Sequence, residues 1–266
     1  MPGLIEVVDG GIGNTIQDSG RFGFRHIGLS VSGCLDAYLA RCANALAGNS
    51  VDSENPACIE IRAVGPRLLV REGPVRLAFA GSLSATLTRA GEDGEGEVEV
   101  SAWKSFTLHP GDEIAFGYLP GGCAYLAVEG GIDSPVQLGS RSTYQRAGIG
   151  GVDGAPLATG NLLPCARASV AAVSSGAFET AASAVWEYDD APFRVVVGPQ
   201  DALFKAESLD RFLSCDYRVT PQIDRMGIRL EGPEIVHATP ENADIVSDCV
   251  TPGAIQIPGN GQPIVL

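Results

Sequence analysis

The chain has 266 residues, 45% of them hydrophobic, and its 32 acidic against 18 basic side chains give a formal net charge of −14. That acidity repels phosphate backbones and argues against a nucleic-acid partner. No apolar run reaches the roughly 18 residues of a membrane-spanning helix. The start, MPGLIEVVDG, has neither the basic nor the apolar part of an export signal, so a cytoplasmic protein with no membrane partner is expected. With 34 glycines and 17 prolines, many short elements joined by turns are expected, and the composition reads as mainly β.

In chain order, TIQDSGRFGFRHIG (15–28) has no apolar rhythm and crowds Gln17, Asp18, Arg21 and Arg25 among three glycines. Glycines at that density shape a turn or a close approach, and the polar groups held on it face either solvent or a site. SGCLDAYLARCANALAGN (32–49) predicts a helix: Leu35, Leu39, Cys42 and Leu46 recur at helical spacing, Ser32 or Gly33 can cap its start, and Gly48–Asn49 can end it. ACIEIRAVG, RLLVREG, VRLAFAG and SATLTRAG then read as strands, EDGEGE as a hairpin tip, and SFTLHPGDEIAFGYLPGGCAYLAVEGG as three further strands. Such spacing indicates an antiparallel barrel or sandwich. Residues 166–190 are rich in alanine and serine and read as a linker or loop between a β-rich unit at 1–165 and a second at 191–266. In that second unit APFRVVVGPQDALF reads as a strand running into a helix at 200–213, with Leu203, Phe204, Leu209, Phe212 and Leu213 inward.

Seven cysteines without a C-x-x-C pair are expected to be reduced, mostly buried thiols. The histidines, His26, His109 and His237, lie far apart, so no metal site is expected. No P-loop string occurs, Ile16 and Asp153 stand where dinucleotide fingerprints need a third glycine, and no G-x-S-x-G elbow is present. Cys34 at a helix start could be an activated thiol or a small packed residue, and the packed residue fits a lone cysteine better. GRFGFRHIG (20–28) and DRMGIRLEG (224–232) share R-x-G-x-R, and IEIRAVGPRL and RLEGPEIV share a Gly-Pro after a strand-like run. Chance and duplication explain that echo equally well.

TIQDSGRFGFRHIGLSVSGCLD, ANALAGN, YLAVEGGI, LGSRSTYQRAGIGG, VVVGPQDALF, DRMGIRLEGP and GAIQIPGNGQPIVL occur in that order. Together they resemble the carboxyltransferase-domain family that covers the C-type subunit of bacterial 5-oxoprolinases, the so-called allophanate hydrolase subunit 2 proteins and half of the carboxyltransferase region of urea carboxylases. The resemblance implies cyclophilin-like β-barrel units with a few short helices. It also implies a B-type sister protein, a third partner of A type, and ATP-dependent opening of 5-oxo-L-proline to L-glutamate by the complex. ATP is then used by the complex, with no site for it recognised in this chain. Two alternatives stand beside that reading. One is a urea- or allophanate-type carboxyltransferase, whose biotin must arrive on another chain because neither Lys104 nor Lys205 sits in a Met-Lys-Met carrier motif. The other is a non-catalytic regulatory module that binds a sister subunit.

The sequence departs from the family pattern in three places. Cys34–Leu35–Asp36 stands for Ala-Met-Asp, Ala155 follows Gly154 where an arginine is common, and the family runs on beyond QPIVL into a glycine-rich segment and a further strand region. A chain ending at Leu266 is therefore expected to leave a strand edge and part of an apolar interior uncovered.

Chemistry on a lactam or urea-like amide needs oxyanion donors, a proton acceptor and groups that orient the nitrogen. Asp18 and Asp224 are the candidate proton acceptors, and Arg141 and Arg225 the candidate anion-stabilising groups. Gln17, Arg21, Ser142, Thr143 and Gln256 are the candidate substrate-binding groups. Each has a structural reading as well: ion pairs that fix turns for the Asp/Arg pairs, capping for Ser142 and Thr143, and a satisfied backbone group for Gln256.

Overall fold

The structure is a computed structural model, and it describes residues 2–50, 56–91, 96–166, 191–246 and 248–266. The Ala/Ser-rich stretch from 167 onward and residues 92–95 of the expected hairpin tip lie outside the described residues. The chain divides into two compact units, Met1–Glu187 and Tyr188–Leu266.

In the first unit the elements run β1 (Leu4–Asp9), β2 (Thr15–Gln17), α1 (Ala37–Ala47), β3 (Cys58–Ile61), β4 (Arg67–Glu72), β5 (Val75–Ala80), β6 (Ser84–Thr88), β7 (Glu97–Ser101), β8 (Ser105–Leu108), β9 (Glu113–Phe116), β10 (Ala124–Val128) and β11 (Leu162–Pro164). They form a six-stranded antiparallel sheet, β11-β1-β4-β9-β6-β7, and a five-stranded one, β2-β3-β10-β5-β8. The two sheets share one core. Ile5, Val7, Leu68, Val70 and Ile114 of the first meet Ile59, Ile61, Leu77, Phe79 and Leu126 of the other, and Phe79 stands edge-on to Phe116 at 5.2 Å.

Burial separates the sheets. In β1, β4 and β6 buried and exposed positions alternate, as in a sheet with one face toward water, whereas every residue of β10 is buried. The cause is α1, which covers the outer face of the five-stranded sheet. Small residues make the close approach possible: Ala40, Ala43 and Ala47 of the helix pack with Ala78, Ala80, Ala127 and Tyr125 of the strands. Asp36 caps α1, its carboxylate accepting from Leu39 N at 3.0 Å, and Gly48 at φ 92 ends it. The cap is thus Asp36 rather than Ser32 or Gly33, because the chain enters the helix only after residue 36. Leu35, expected inward, precedes the helix and is exposed.

The other unit has α2 (Ala206–Ser214), β12 (Arg218–Val219), β13 (Ile228–Glu231), β14 (Ile255–Gln256) and β15 (Ile264–Val265), with sheet order β12-β13-β15-β14. The run FRVVV (193–197) is not a strand: no described strand pairs with it, and Phe193 and Val196 are 98% and 96% exposed. The expected helix at 200–213 is a 3-10 turn at Asp201–Leu203 followed by α2. Leu213 points outward, and the side chain that α2 buries is Ser208, whose hydroxyl accepts from Val236 N at 3.1 Å.

Candidate functional site

The glycine-rich turn after β2 is the centre of a buried polar knot. Asp18, 7% exposed, receives four hydrogen bonds. Its Oδ1 accepts from Gly20 N (2.8 Å), Ser140 Oγ (2.7 Å) and Ser142 Oγ (2.6 Å), and its Oδ2 from Arg141 N (2.6 Å). Ser142 Oγ also accepts from Asp18 N at 2.9 Å, so the two residues clasp each other across 124 positions of sequence. The turn has to be glycine at position 20: with φ 99, a Cβ there would lie 2.7 Å from Val31 Cγ1 and 2.9 Å from its carbonyl oxygen.

Arg21 is almost fully buried, and it does not pair with Asp18. Its Nε donates to Gln137 O at 3.1 Å and its Nη2 to Ser142 O at 2.9 Å. Burial lowers its pKa, and the nearby Asp18 charge partly opposes that. Gln17, fully buried, donates through Nε2 to Thr15 Oγ1 (2.9 Å) and Thr143 O (3.3 Å). Thr143 N and Oγ1 both donate to the neighbouring Ile16 O, at 2.9 and 3.0 Å. Two buried atoms here, Gln17 Oε1 and Arg21 Nη1, have no hydrogen-bond partner among the described residues.

Of the residues that sequence put forward, Gln17, Asp18, Arg21, Arg141, Ser142 and Thr143 therefore come together. All but Arg141 are buried. The Arg141 guanidinium is held by Asp133 at 2.8 Å and is 28% exposed, which makes it the cation of the group that solvent or a ligand reaches. In the other unit, Asp224 and Arg225 occupy a tight turn where Asp224 Oδ1 accepts from Met226 N (2.8 Å) and Gly227 N (3.1 Å), with Asp224 itself exposed. Gln256 lies in β14 opposite Ile264 and is also exposed.

Beside the knot stands a further buried carboxylate, one that the sequence motifs do not single out. Glu60 on β3 is fully buried, and its Oε2 accepts from Tyr125 OH at 2.7 Å and Leu35 N at 2.9 Å. Tyr125 OH in turn accepts from Asp36 N at 2.9 Å. Burial, reinforced by the Glu60 charge, pushes the Tyr125 phenol well above its ordinary pKa. The signal is present in ACIEIRAVG, where a lone glutamate interrupts an apolar strand.

Three of the four described non-glycine residues at positive φ border this region: Ser32 (56°), Leu138 (53°) and Asp153 (53°). Strained backbone of this kind persists where surrounding structure over-determines it, and it clusters at functional sites. On the open side Phe22, Gly23, Arg25, His26 and Val31 line a shallow cavity of about 430 Å³. Phe22, Ile27, Leu35 and Leu138, all close in sequence to these turns, are exposed. The arrangement is a rigid polar frame that presents two basic side chains and apolar groups at its surface. Among the described residues no group of three or more His, Cys, Asp or Glu could hold a metal ion, and no helix is long and apolar enough to cross a membrane.

Residues 27–266 match the carboxyltransferase domain, subdomain A and B. The chain is 31% identical to the 5-oxoprolinase C subunit of Escherichia coli (strain K12), over 99% of this chain and 79% of that protein. It is 34% identical to urea amidolyase of Lachancea kluyveri over 88% of this chain, which is 13% of that protein. Among solved structures, Kluyveromyces lactis urea carboxylase superimposes on the whole chain with a TM-score of 0.82 at 27% identity, this chain spanning 24% of that one. The chain belongs to the carboxyltransferase domain, subdomain A and B, family.

Proposed function

We propose that this chain is the C-type subunit of an ATP-dependent 5-oxoprolinase, a cytoplasmic complex that opens the lactam 5-oxo-L-proline to L-glutamate, and that it is inactive without its B-type and A-type partners. The observation that carries this reading is how much of this chain the likeness covers: 99% of it aligns with the Escherichia coli 5-oxoprolinase C subunit at 31% identity, against 88% with a urea amidolyase. In this reading Asp18, with all four hydrogen bonds in place, and Arg21 hold the shape of the site. In the first unit Arg141, whose guanidinium is open on one side, is the group that can stabilise developing negative charge. In the other unit, taken by itself, Arg225 is the anion-stabilising group and Asp224 the proton acceptor, since its exposed carboxylate can meet a substrate. Gln17, Ser142 and Thr143 keep the turn in register, and Gln256 is a surface contact. In this reading ATP is used by the complex, with no site for it identified in this chain.

An alternative reading, a carboxyltransferase unit of a biotin-dependent enzyme acting on urea or a related amide, is favoured by the likeness to urea carboxylase at a TM-score of 0.82. The biotin would arrive on another chain. Reconstitution with both sister subunits separates the two. Glutamate formation and ATP loss that depend on 5-oxoproline support the first; turnover of urea but not 5-oxoproline overturns it. Tight complex formation with no substrate turnover at all would leave a regulatory module.

A further inference from the structure

We propose that Cys34 and Cys58 are an oxidisable pair that closes into a reversible disulfide, fixing the entry of α1 to strand β3. The two sulfurs lie 3.9 Å apart, in direct contact, as free thiols. Residues 17 and 18 at the end of β2 hold both cysteines. Cys34 N donates to Asp18 O at 2.9 Å, and Gln17 is the cross-strand partner of Cys58 in the β2–β3 ladder. The Cys58 thiol also donates to Gln17 O at 3.4 Å, which keeps its sulfur on the Cys34 side. A bridge requires the sulfurs to close from 3.9 Å to about 2.05 Å. This inference stands independently of the function proposed above.

The two thiols have unequal access. Cys58 is fully buried and Cys34 half-buried, so an oxidant meets Cys34 first. With hydrogen peroxide as oxidant, the Cys34 sulfur attacks one peroxide oxygen, the O–O bond breaks, and Cys34 sulfenic acid and water form. Cys58 sulfur then attacks the Cys34 sulfur, the S–O bond breaks, and the departing hydroxide leaves as water with the Cys58 proton. Two thiols and one peroxide thus give one disulfide and two waters. Hydrogen bonding to Cys58, then burial and the Glu60 and Asp18 charges, raise the Cys34 pKa, so little thiolate is present at neutral pH and the first step is slow. The pair is accordingly a responder to sustained rather than brief oxidant exposure.

The bridge would tie the strained turn at Ser32 and Gly33 to the sheet, beside the Leu35 N to Glu60 bond that already anchors it. It would enclose α1 in a covalent loop, and such a loop stabilises by restricting the unfolded chain. Cys215 and Cys249, both exposed in the other unit, provide internal competitors.

The test uses the full chain, reduced and then held in hydrogen peroxide, with thiols blocked before peptide mapping. The expected product lacks two hydrogens, joins the Cys34 and Cys58 peptides, reverts with dithiothreitol, and melts about 5 °C or more above the reduced form. Cys34→Ala abolishes the joined peptide and the shift, while Cys215→Ser with Cys249→Ser retains both. Cys58→Ala should behave as Cys34→Ala, and if it fails to fold the Cys34 variant alone decides. Sulfinic acid at Cys34 with no bridge, a bridge from Cys34 to Cys42 or Cys123, or no oxidation of the pair while Cys215 and Cys249 react would each overturn the proposal.

Discussion

Asp18 of the N-terminal unit and Asp224 of the C-terminal unit resemble each other in sequence, each in a glycine-containing turn with an arginine close behind, yet they are used differently. Asp18 is buried, and three of its four acceptor bonds come from residues 140–142, more than 120 positions away. Asp224 is exposed, and among the described residues its carboxylate bonds the backbone two and three residues on. The glycines of the echoed R-x-G-x-R differ in the same way: Gly23 has φ 91, whereas Gly227 does not adopt positive φ and abuts Ile264. The Gly-Pro echo survives better. Gly65 and Gly232 both lack room for a Cβ because an aromatic side chain, Phe116 or Tyr217, presses on them. The lesson is that an acidic residue in a glycine turn becomes a structural centre when distant chain folds over it, and stays a local cap when nothing does.

The comparison breaks most visibly if Asp18 is removed. Asp18→Ala leaves two buried hydroxyls and two backbone N–H groups without their acceptor, and should cost about 3–5 kcal/mol. Urea unfolding followed by circular dichroism measures it, and a loss below about 1 kcal/mol would show that the knot relaxes around the gap.

Gly150→Ala ranks next. Its φ is 74, and a Cβ would fall 1.9 Å from Ser142 O, inside the same knot. Gly148 has φ 63 but open space around it. We expect Gly150→Ala to cost about 2–4 kcal/mol and Gly148→Ala about 1 kcal/mol, the difference being steric overlap beyond the shared backbone strain. Equal losses at the two positions would mean that the 137–154 segment is not clamped onto the turn.

A third buried carboxylate tests whether the acids of the N-terminal unit behave alike. Asp112 accepts from Ala90 N at 3.0 Å, His109 N at 2.8 Å and Arg89 Nη1 at 2.6 Å. Burial alone would raise its pKa, but these donors outweigh burial and hold it below the ordinary value of 3.8. A pKa lowered by folding gives stability that is present above the unfolded value and is lost as pH falls through the folded one. Asp112→Asn should therefore cost about 1–3 kcal/mol at neutral pH, with the gap to the parent narrowing below about pH 4. A gap constant from pH 7 to pH 3 would contradict this.

How much of this is legible in the sequence follows from the range of each interaction. Strands β3 to β6 and β8 to β10 and helix α1 follow from local periodicity and glycine punctuation, and so does the mainly β architecture. Three features do not follow. Ser32 and Gly33 resemble caps as well as Asp36 does, and only the path of the chain selects Asp36. FRVVV has strand chemistry but no described partner, and a strand needs one. The thiols are expected to be mostly buried, but Cys215 and Cys249 are exposed, because their unit buries few side chains. Within the candidate site the polar types are visible. That Asp18 meets Ser140 and Ser142, that Arg21 bonds carbonyls instead of Asp18, and that Glu60 joins the entry of α1 to the sheet depends on long-range packing that spacing does not encode.

The smallest expected stability effect belongs to Asp224, and it is also the most informative about function. Asp224→Ala removes two local hydrogen bonds on an exposed turn, which is worth about 0.5–1 kcal/mol, since water can replace the lost acceptor for both N–H groups. If Asp224 is the proton acceptor, the same variant in the reconstituted complex should retain assembly and lose turnover by about 100-fold or more, the usual contribution of a positioned acid or base. Asp18→Ala should instead lose activity in step with its folded fraction. Turnover by Asp224→Ala within about twofold of the parent, with stability changed as expected, would confine Asp224 to its turn and remove it from the proposed chemistry.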